Sequence, residues 1–304
     1  MKTLLQVNTI FLSMIMEAAP FVLVGVIVSG LIETFMPERW IARAMPRNRL
    51  LQTLLGCGMG VLFPGCECGI VPITRRLLSK GLSLNAGIAF MLTGPVINPI
   101  VLFATYIAFG NDWRMAAIRA GAAIAVACAV ALVLPAVCPE LPDRLQAGAA
   151  PESASAAELG TNAAAKPSGW HRWMHAMNHA VDEFFSIGKF LVIGAFVAAS
   201  MQTFLPTGTL LHLGASPVTA SLLMMALAYV MSLCSEADAF IAASFRSTFR
   251  AGALSAFMVF GPMIDLKNTL MLLGIFRGKF VAWLIALLTV FTLLASLLVE
   301  RWFA

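Results

Sequence analysis

Two apolar segments of the chain are joined by the stretch Phe63-Pro64-Gly65-Cys66-Glu67-Cys68-Gly69. It combines two thiols and a carboxylate with proline and glycine, the residue types that interrupt helices. A related stretch, Leu233-Cys234-Ser235-Glu236-Ala237-Asp238, follows 168 residues later. The sequence therefore predicts two equivalent polar breaks between apolar segments.

The composition around these breaks is that of an integral membrane protein. Hydrophobic residues make up 60% of the chain and charged residues 12%, against about one half and one quarter in a soluble domain. Long apolar runs occupy residues 10–35, 115–137, 184–205 and 280–299. Each is close to or above the roughly 20 residues that cross a bilayer as a helix. We predict an all-α, polytopic membrane protein whose first partner is the lipid bilayer.

The net charge of +5 does not indicate a nucleic-acid partner. In membrane proteins, basic residues gather in cytoplasmic loops beside anionic lipid headgroups. The segment 37–49 contains four arginines, and we therefore place it in the cytoplasm and the amino terminus outside.

Landmarks of the chain recur at a nearly constant offset, which indicates an internal duplication. The pairs are Pro37 and Pro206 (169 residues apart), Cys66 and Cys234 (168), Gly94 and Gly261 (167), and Asn98 and Asp265 (167). We divide the chain into a first transmembrane repeat at 1–138 and a second at 170–304, which begins with an amphipathic helix. The segment 139–169 is rich in Ala, Pro, Ser and Gly and is predicted to be a disordered cytoplasmic linker.

Short segments flank the cysteine motif. Residues 50–63 and 70–78 are too short to cross a bilayer comfortably, and we predict that they form a re-entrant hairpin with the motif at membrane depth. The first arm carries Gly56, Gly58 and Gly60, spaced for close helix packing. The next segment, 82–108, is predicted to break at Gly94-Pro95 and at Pro99.

Counting segments gives the relative orientation of the halves. Each half then has three full passes and one re-entrant pair, and an odd number of crossings turns the second half upside down. The predicted fold is two inverted repeats with broken or re-entrant helices. Ten full crossings is the alternative, and it preserves the inversion.

The cysteine thiols are the most distinctive chemical feature of the sequence. Cys66 and Cys68 bind one soft centre if the backbone between them is irregular, and pseudo-symmetry brings Cys234 near them. Thiolates select soft ions such as Cu(I), Zn(II) and trivalent arsenic, so the three cysteines are candidate metal or metalloid ligands. Packing or redox roles are the alternatives, although C-x-C is a less usual redox spacing than C-x-x-C.

Four carboxylates lie within or beside apolar segments: Glu67, Glu236, Asp238 and Asp265. A carboxylate there is costly and is a functional candidate by default, which suits coupling of transport to protons. Asp238 and Asp265 are alternatively caps of half-helices, and both roles can coexist. Glu17 and Lys189, in the first spans of the two halves, either line the path or snorkel to the interface.

The breaks themselves add candidate solute contacts. Carbonyl groups freed by proline, together with the Asn98 amide, are available to a polar ligand. We include Gly94, Pro95, Asn98, Gly261 and Pro262 in the predicted substrate-binding set, beside the cysteines and carboxylates.

Taken together, Pro64-Gly65-Cys66-Glu67-Cys68-Gly69, Pro72, Gly81, Gly94-Pro95 and Asn98-Pro99 resemble the predicted-permease family that includes YraQ-like proteins and the ArsP organoarsenical efflux permeases. The second-half motifs Cys234-Ser235-Glu236-Ala237-Asp238 and Gly261-Pro262-Met263-Ile264-Asp265 match its second repeat. The resemblance covers roughly residues 17–110 and 182–276. It implies a multi-pass inner-membrane permease, for which a subset of the family suggests export of trivalent arsenicals and arsenical resistance.

The predicted function is secondary export of a thiophilic small solute, such as a trivalent organoarsenical, by alternating access between the two halves. The chain shows no Walker motif, phosphate loop or catalytic triad, so we expect no enzymatic activity and no cofactor. The alternatives are a membrane thiol oxidoreductase or metal-handling protein using Cys66 and Cys68, and a passive channel. The sequence leaves substrate, coupling ion and oligomeric state open.

Overall fold

The computed structural model describes residues 2–35, 45–63, 66–137, 169–204 and 216–303. All regular secondary structure in these ranges is helical, which confirms the all-α prediction. The predicted linker lies outside the described residues apart from Gly169, and so do the side chains of the predicted amphipathic segment at 170–180.

The first half contains six helices in the described residues. They are α1 (Lys2–Phe35), α2 (Arg49–Leu62), α3 (Glu67–Ser79), α4 (Leu84–Ile97), α5 (Pro99–Ala108) and α6 (Trp113–Val137). Short polar side chains start the helices that follow loops. Asn48 accepts a hydrogen bond from the Leu50 amide, and Ser83 accepts one from the Ala86 amide, which satisfies backbone donors that have no partner within the helix.

The second half repeats this order of elements. Its helices are α7 (Gly169–Phe204), α8 (Pro217–Met231), α9 (Ser235–Ser244), α10 (Ala251–Met263), α11 (Leu266–Ile275) and α12 (Gly278–Phe303). Each half thus has a long first helix, a pair of short helices around the cysteine motif, a broken helix and a long last helix. This agreement is what an internal duplication predicts.

Five segments are long and apolar enough to cross a membrane. They are Leu5–Ile32, Leu84–Ala108, Trp113–Val137, Ala251–Ile275 and Gly278–Trp302. The described chain is therefore a multi-pass membrane protein. The arms α2 and α8 have only 14 and 15 residues, which suits the predicted re-entrant hairpins; the inversion of the second half stays a prediction.

The broken spans are interrupted after their Gly-Pro pairs rather than at those pairs. Pro95 and Pro262 lie inside α4 and α10, in their last turns, so the predicted break at Gly94-Pro95 is wrong and the break at Pro99 is confirmed. A proline so close to a helix end removes one backbone hydrogen bond and leaves the helix otherwise intact. The chain leaves helical geometry at Asn98 and at Ile264-Asp265.

The core of the fold lies around α4 and α10. Nearly every residue of these two helices is buried, and they contact each other and α6. The helices α2 and α3 pack on α4, while α8, α9 and α12 pack on α10. Helices α1, α6 and α12 leave apolar side chains exposed, for example Leu12, Ile124 and Leu298, as expected for surfaces that face lipid.

Glycines set the spacing between α2 and α4. A Cβ atom on Gly56 would lie 2.3 Å from the Ala86 carbonyl oxygen, and one on Gly60 would lie 2.3 Å from Thr93 Oγ1. No atom comes within 4 Å of the corresponding position on Gly58. Two of the three glycines therefore carry the predicted close packing, and Gly58 points away from it.

We expect Gly56→Ala to destabilise the protein by at least about 1–3 kcal/mol, because the added methyl meets backbone that cannot move without shifting α4. Gly58→Ala is the matched control. It should be neutral or stabilise by up to about 1 kcal/mol, since alanine is the better helix former. Melting temperatures of the purified variants in detergent measure both effects. Equal melting temperatures for the two variants would contradict this packing.

Candidate functional site

The turn between α2 and α3 and the turn between α8 and α9 are called the hairpin tips below. Both tips and the second helix break meet at one small cavity. Its lining comes from α1, α3, the turn before α9, α9 and α11, namely Met14, Glu17, Ala18, Phe21, Cys66, Glu67, Cys68, Leu233, Cys234, Glu236 and Lys267. The cavity holds about 20 Å³ of free space, which suits roughly one water molecule. Cysteines and charged residues that are far apart in the sequence thus share one site.

Lys267 is the electrostatic centre of this site. Its Nζ lies 3.0 Å from Glu67 Oε1 and 3.2 Å from Asp265 Oδ2, and it also donates a hydrogen bond to the Leu233 carbonyl oxygen. The side chains of Lys267 and Glu67 are 5% and 3% exposed. Because buried charges are costly unless paired, this ammonium group holds α11, the start of α3 and the second hairpin tip together.

A second group of ligand atoms lies on the other side of the cavity. One carboxylate oxygen each from Glu17 and Glu236 and the sulfur of Cys234 lie within 4.8 Å of one another. Cys234 precedes α9 as its N-cap, and its sulfur accepts a hydrogen bond from the Ala237 amide at 3.3 Å. Glu17 therefore lines the cavity, one of the two roles predicted for it.

The remaining two thiols stand at the start of α3. Cys68 is buried and Cys66 is half-buried. Cys66, Cys68 and Cys234 all line the cavity, and all five described cysteines are free thiols. Cys57 and Cys128 lie elsewhere, with their sulfurs 3.7 Å apart between α2 and α6.

The polar residues at the breaks act as helix caps. Asn98 Oδ1 accepts a hydrogen bond from the Ile100 amide at 3.0 Å, and Asp265 Oδ1 accepts one from the Asn268 amide at 2.6 Å. These two residues occupy equivalent positions of the duplication. Asp238 binds Ser232 Oγ at 2.6 Å and the Leu233 amide at 3.2 Å. The predicted capping role is present at Asp265, which also contacts Lys267, whereas the N-cap of α9 is Cys234 and Asp238 lies inside that helix.

The Gly-Pro pairs lie behind the site and are absent from the cavity lining. A Cβ atom on Gly94 would lie 2.4 Å from Ile70 Cδ1, and one on Gly261 would lie 3.0 Å from Asp238 Oδ2. Ile70 and Asp238 are themselves 168 residues apart. Each glycine therefore makes room for the equivalent side chain of the neighbouring short helix. Their predicted role in solute binding stays a prediction.

Two buried cations were not predicted from the sequence. The guanidinium group of Arg119, on α6, is fully buried and donates to Thr105 Oγ1 and to the Ser235 carbonyl oxygen, both at 2.8 Å. Lys267 is the other. Neither has a charged counterpart in the opposite repeat, where the equivalent positions are Ala286 and Ile100, so the duplication of motifs does not reveal them. The signal in the sequence that marks each of them is a single cation inside an apolar segment, which is a functional candidate by default. Lys189, which was predicted to line the path or to snorkel, is exposed beside the Phe190 ring.

Comparison with known proteins places these features in one family. The model of the family ArsP_1, described as a predicted permease, matches residues 3–301. The chain belongs to this permease family. The family assignment predicted from the motifs is confirmed, and it covers both halves and every residue of the cavity.

Curated relatives of this permease extend along its whole length. The UPF0718 protein YcgR of Bacillus subtilis (strain 168) is 51% identical over 299 residues, 98% of each chain. A Streptococcus mutans protein named as a proposed two-component membrane permease complex subunit is 43% identical over 289 residues, 92% of this chain and 90% of that protein. The UPF0718 protein YraQ of Escherichia coli (strain K12) is 29% identical over 110 residues, 36% of this chain and 31% of that protein. No solved structure gave a significant match.

The relationship supports a broad functional statement. The protein is a membrane transporter of the permease type. Its solute is a separate question, which the chemistry of the cavity addresses.

Proposed function

We propose that this permease is a secondary transporter of the inner membrane that exports a thiophilic small solute through the cavity between the hairpin tips. The observation that carries the proposal is the lining itself, because Cys66, Cys68 and Cys234 from both halves stand around one space. Three-coordinate thiophilic centres such as trivalent arsenic prefer thiolate ligands. A trivalent organoarsenical is therefore the first solute to test.

The size of the cavity supports alternating access. A space of about 20 Å³ is too small for an organic solute, so in this form the site is closed. Loading requires the hairpin tips to move apart, and the contact of Lys267 with Glu67 and with the Leu233 carbonyl oxygen is the connection that must open. Exchange of protons on Glu67, Glu236 or Asp265 would couple that opening to the proton gradient.

The test is accumulation of trivalent methylarsenite in everted membrane vesicles, with and without a proton gradient. We expect gradient-dependent uptake that falls to the background of protein-free vesicles in Cys66→Ser, Cys68→Ser and Cys234→Ser. Cys128→Ser is the matched control, because it removes a thiol that does not line the cavity, and it should keep full uptake.

Other outcomes separate the competing functions. Uptake that ignores the gradient would indicate a channel, and cysteines that cycle to a disulfide during turnover would indicate a thiol oxidoreductase. The name of the Streptococcus mutans relative suggests a partner subunit for this chain too. The assay is therefore repeated in vesicles from the native host with and without this chain. No uptake by folded protein in either preparation would discard the arsenical.

A further inference from the structure

The group formed by Glu17, Cys234 and Glu236 has the composition of a metal site. Its three potential ligand atoms, two oxygens and one sulfur, lie within 4.8 Å of one another. Ligands on a tetrahedral zinc ion stand about 3.3–3.8 Å apart, given bond lengths of about 2.0–2.3 Å. The three side chains belong to α1, the α9 N-cap and the first turn of α9, so small side-chain adjustments close the remaining distance.

A fourth potential ligand atom, an oxygen of Glu67, is available in the same cavity. Glu67 is 3% exposed and lines the cavity. Its Oε1 is bound by Lys267, whereas its Oε2 is buried and has no hydrogen-bond partner among the described residues. A buried carboxylate oxygen without a partner is costly. This observation is independent of the three-residue group, and it leaves a buried carboxylate oxygen available to a cation.

The charges around the cavity favour a cation. Glu17, Glu67, Glu236, Asp238 and Asp265 are the carboxylates of this region, and Lys267 and Arg119 are its cations. Five carboxylates against two cations leave an excess of three negative charges when all are ionised. Lys267 is already engaged by Glu67, Asp265 and Leu233 and does not neutralise Glu17 or Glu236. A divalent ion bound among these carboxylates offsets most of the excess.

The type and number of ligands select the kind of ion. Magnesium and calcium prefer all-oxygen sites, and Cu(I) prefers sulfur ligands, whereas one thiolate with carboxylates suits zinc and similar borderline ions. The free space of about 20 Å³ also fits a single ion without opening, unlike an organic solute.

We propose that Glu17, Cys234 and Glu236, with Glu67 Oε2 within the same cavity, bind a divalent transition-metal ion of the zinc type. The inference rests on the proposed function in one respect, since taking the cavity as the solute path makes the ion a solute of that path. The two solutes share Cys234 but otherwise use different ligands. A trivalent arsenical depends on the thiols, and the divalent ion depends on the two glutamates and on Cys234 alone among the thiols.

The experiment is equilibrium binding of Zn²⁺ to the purified full-length chain in detergent, by competition with a chromophoric chelator. We expect one ion per chain and affinity at least about 10-fold weaker in Glu17→Gln, Glu236→Gln and Cys234→Ser. Glu300→Gln is the matched control, because this carboxylate is paired with the exposed Arg250 and does not line the cavity. Co²⁺ in place of Zn²⁺ should give a near-ultraviolet thiolate charge-transfer band that Cys234→Ser removes.

Each result decides the inference separately from the arsenical. No Zn²⁺ binding by folded native protein, or binding unchanged in Glu17→Gln and Glu236→Gln, would overturn the metal site. Glu17→Gln is the safest variant to prepare, because Glu17 is half-buried on α1 and caps no helix. Zn²⁺ binding without arsenical uptake would discard the arsenical only, and arsenical uptake without Zn²⁺ binding would discard the metal site only.

Discussion

Replacing Lys267 with methionine is expected to destabilise the protein by about 3–5 kcal/mol, the usual cost of leaving buried charges without their partner. Methionine fills a similar volume but leaves Glu67, Asp265 and the Leu233 carbonyl oxygen without the ammonium group that contacts all three. The melting temperature and the monodisperse fraction in detergent should both fall. Solute uptake should be lost, because the hairpin tips are no longer connected.

Two further variants show whether the pairing is the cause. The double variant Lys267→Met/Glu67→Gln should recover part of the lost stability, since it also removes one uncompensated carboxylate. Lys189→Met is the control, because Lys189 is exposed, and exposed substitutions usually change stability by less than about 0.5 kcal/mol. If Lys267→Met and Lys189→Met have the same melting temperature, the ion network does not hold the site together.

The second large effect is expected from Arg119→Met. The variant loses two hydrogen bonds from a fully buried guanidinium group, one to Thr105 and one to the Ser235 carbonyl oxygen. Hydrogen bonds to charged groups contribute about 1.5–3 kcal/mol each, so we expect a loss of about 3–6 kcal/mol. Arg119→Lys should restore little, because an ammonium group lacks the planar fork that spans both acceptors.

Hydrogen exchange locates this effect. The bond to Ser235 connects α6 to the first residue of α9, so amides in α9 should exchange faster in Arg119→Met than in the native protein. Arg114→Met is the control, since Arg114 is an exposed residue in the first turn of the same helix. Unchanged exchange in α9 together with native stability would show that Arg119 does not hold the second hairpin.

Local rules were sufficient for most of the architecture. Apolar length predicted the spans near residues 10–35, 115–137 and 280–299. The short arms around Cys66 and Cys234 predicted the helix pairs α2–α3 and α8–α9. The constant offset predicted the repeated order of elements. The break predicted at Gly94-Pro95 was wrong, because a proline in the last turn of a helix does not end that helix. The caps at Asn98 and Asp265, three to four residues beyond the Gly-Pro pairs, mark the true ends.

The sequence by itself determined that this protein is a multi-pass helical membrane protein with polar breaks in each half, because helix length, hydrophobicity and proline act locally along the chain. Only the tertiary structure decided which charges meet. Lys267 and Glu67 are 200 residues apart, and Glu17 joins Cys234 and Glu236 from the opposite end of the chain. A buried charge must find its partner wherever packing brings one within reach, and no periodic pattern in the sequence records that distance.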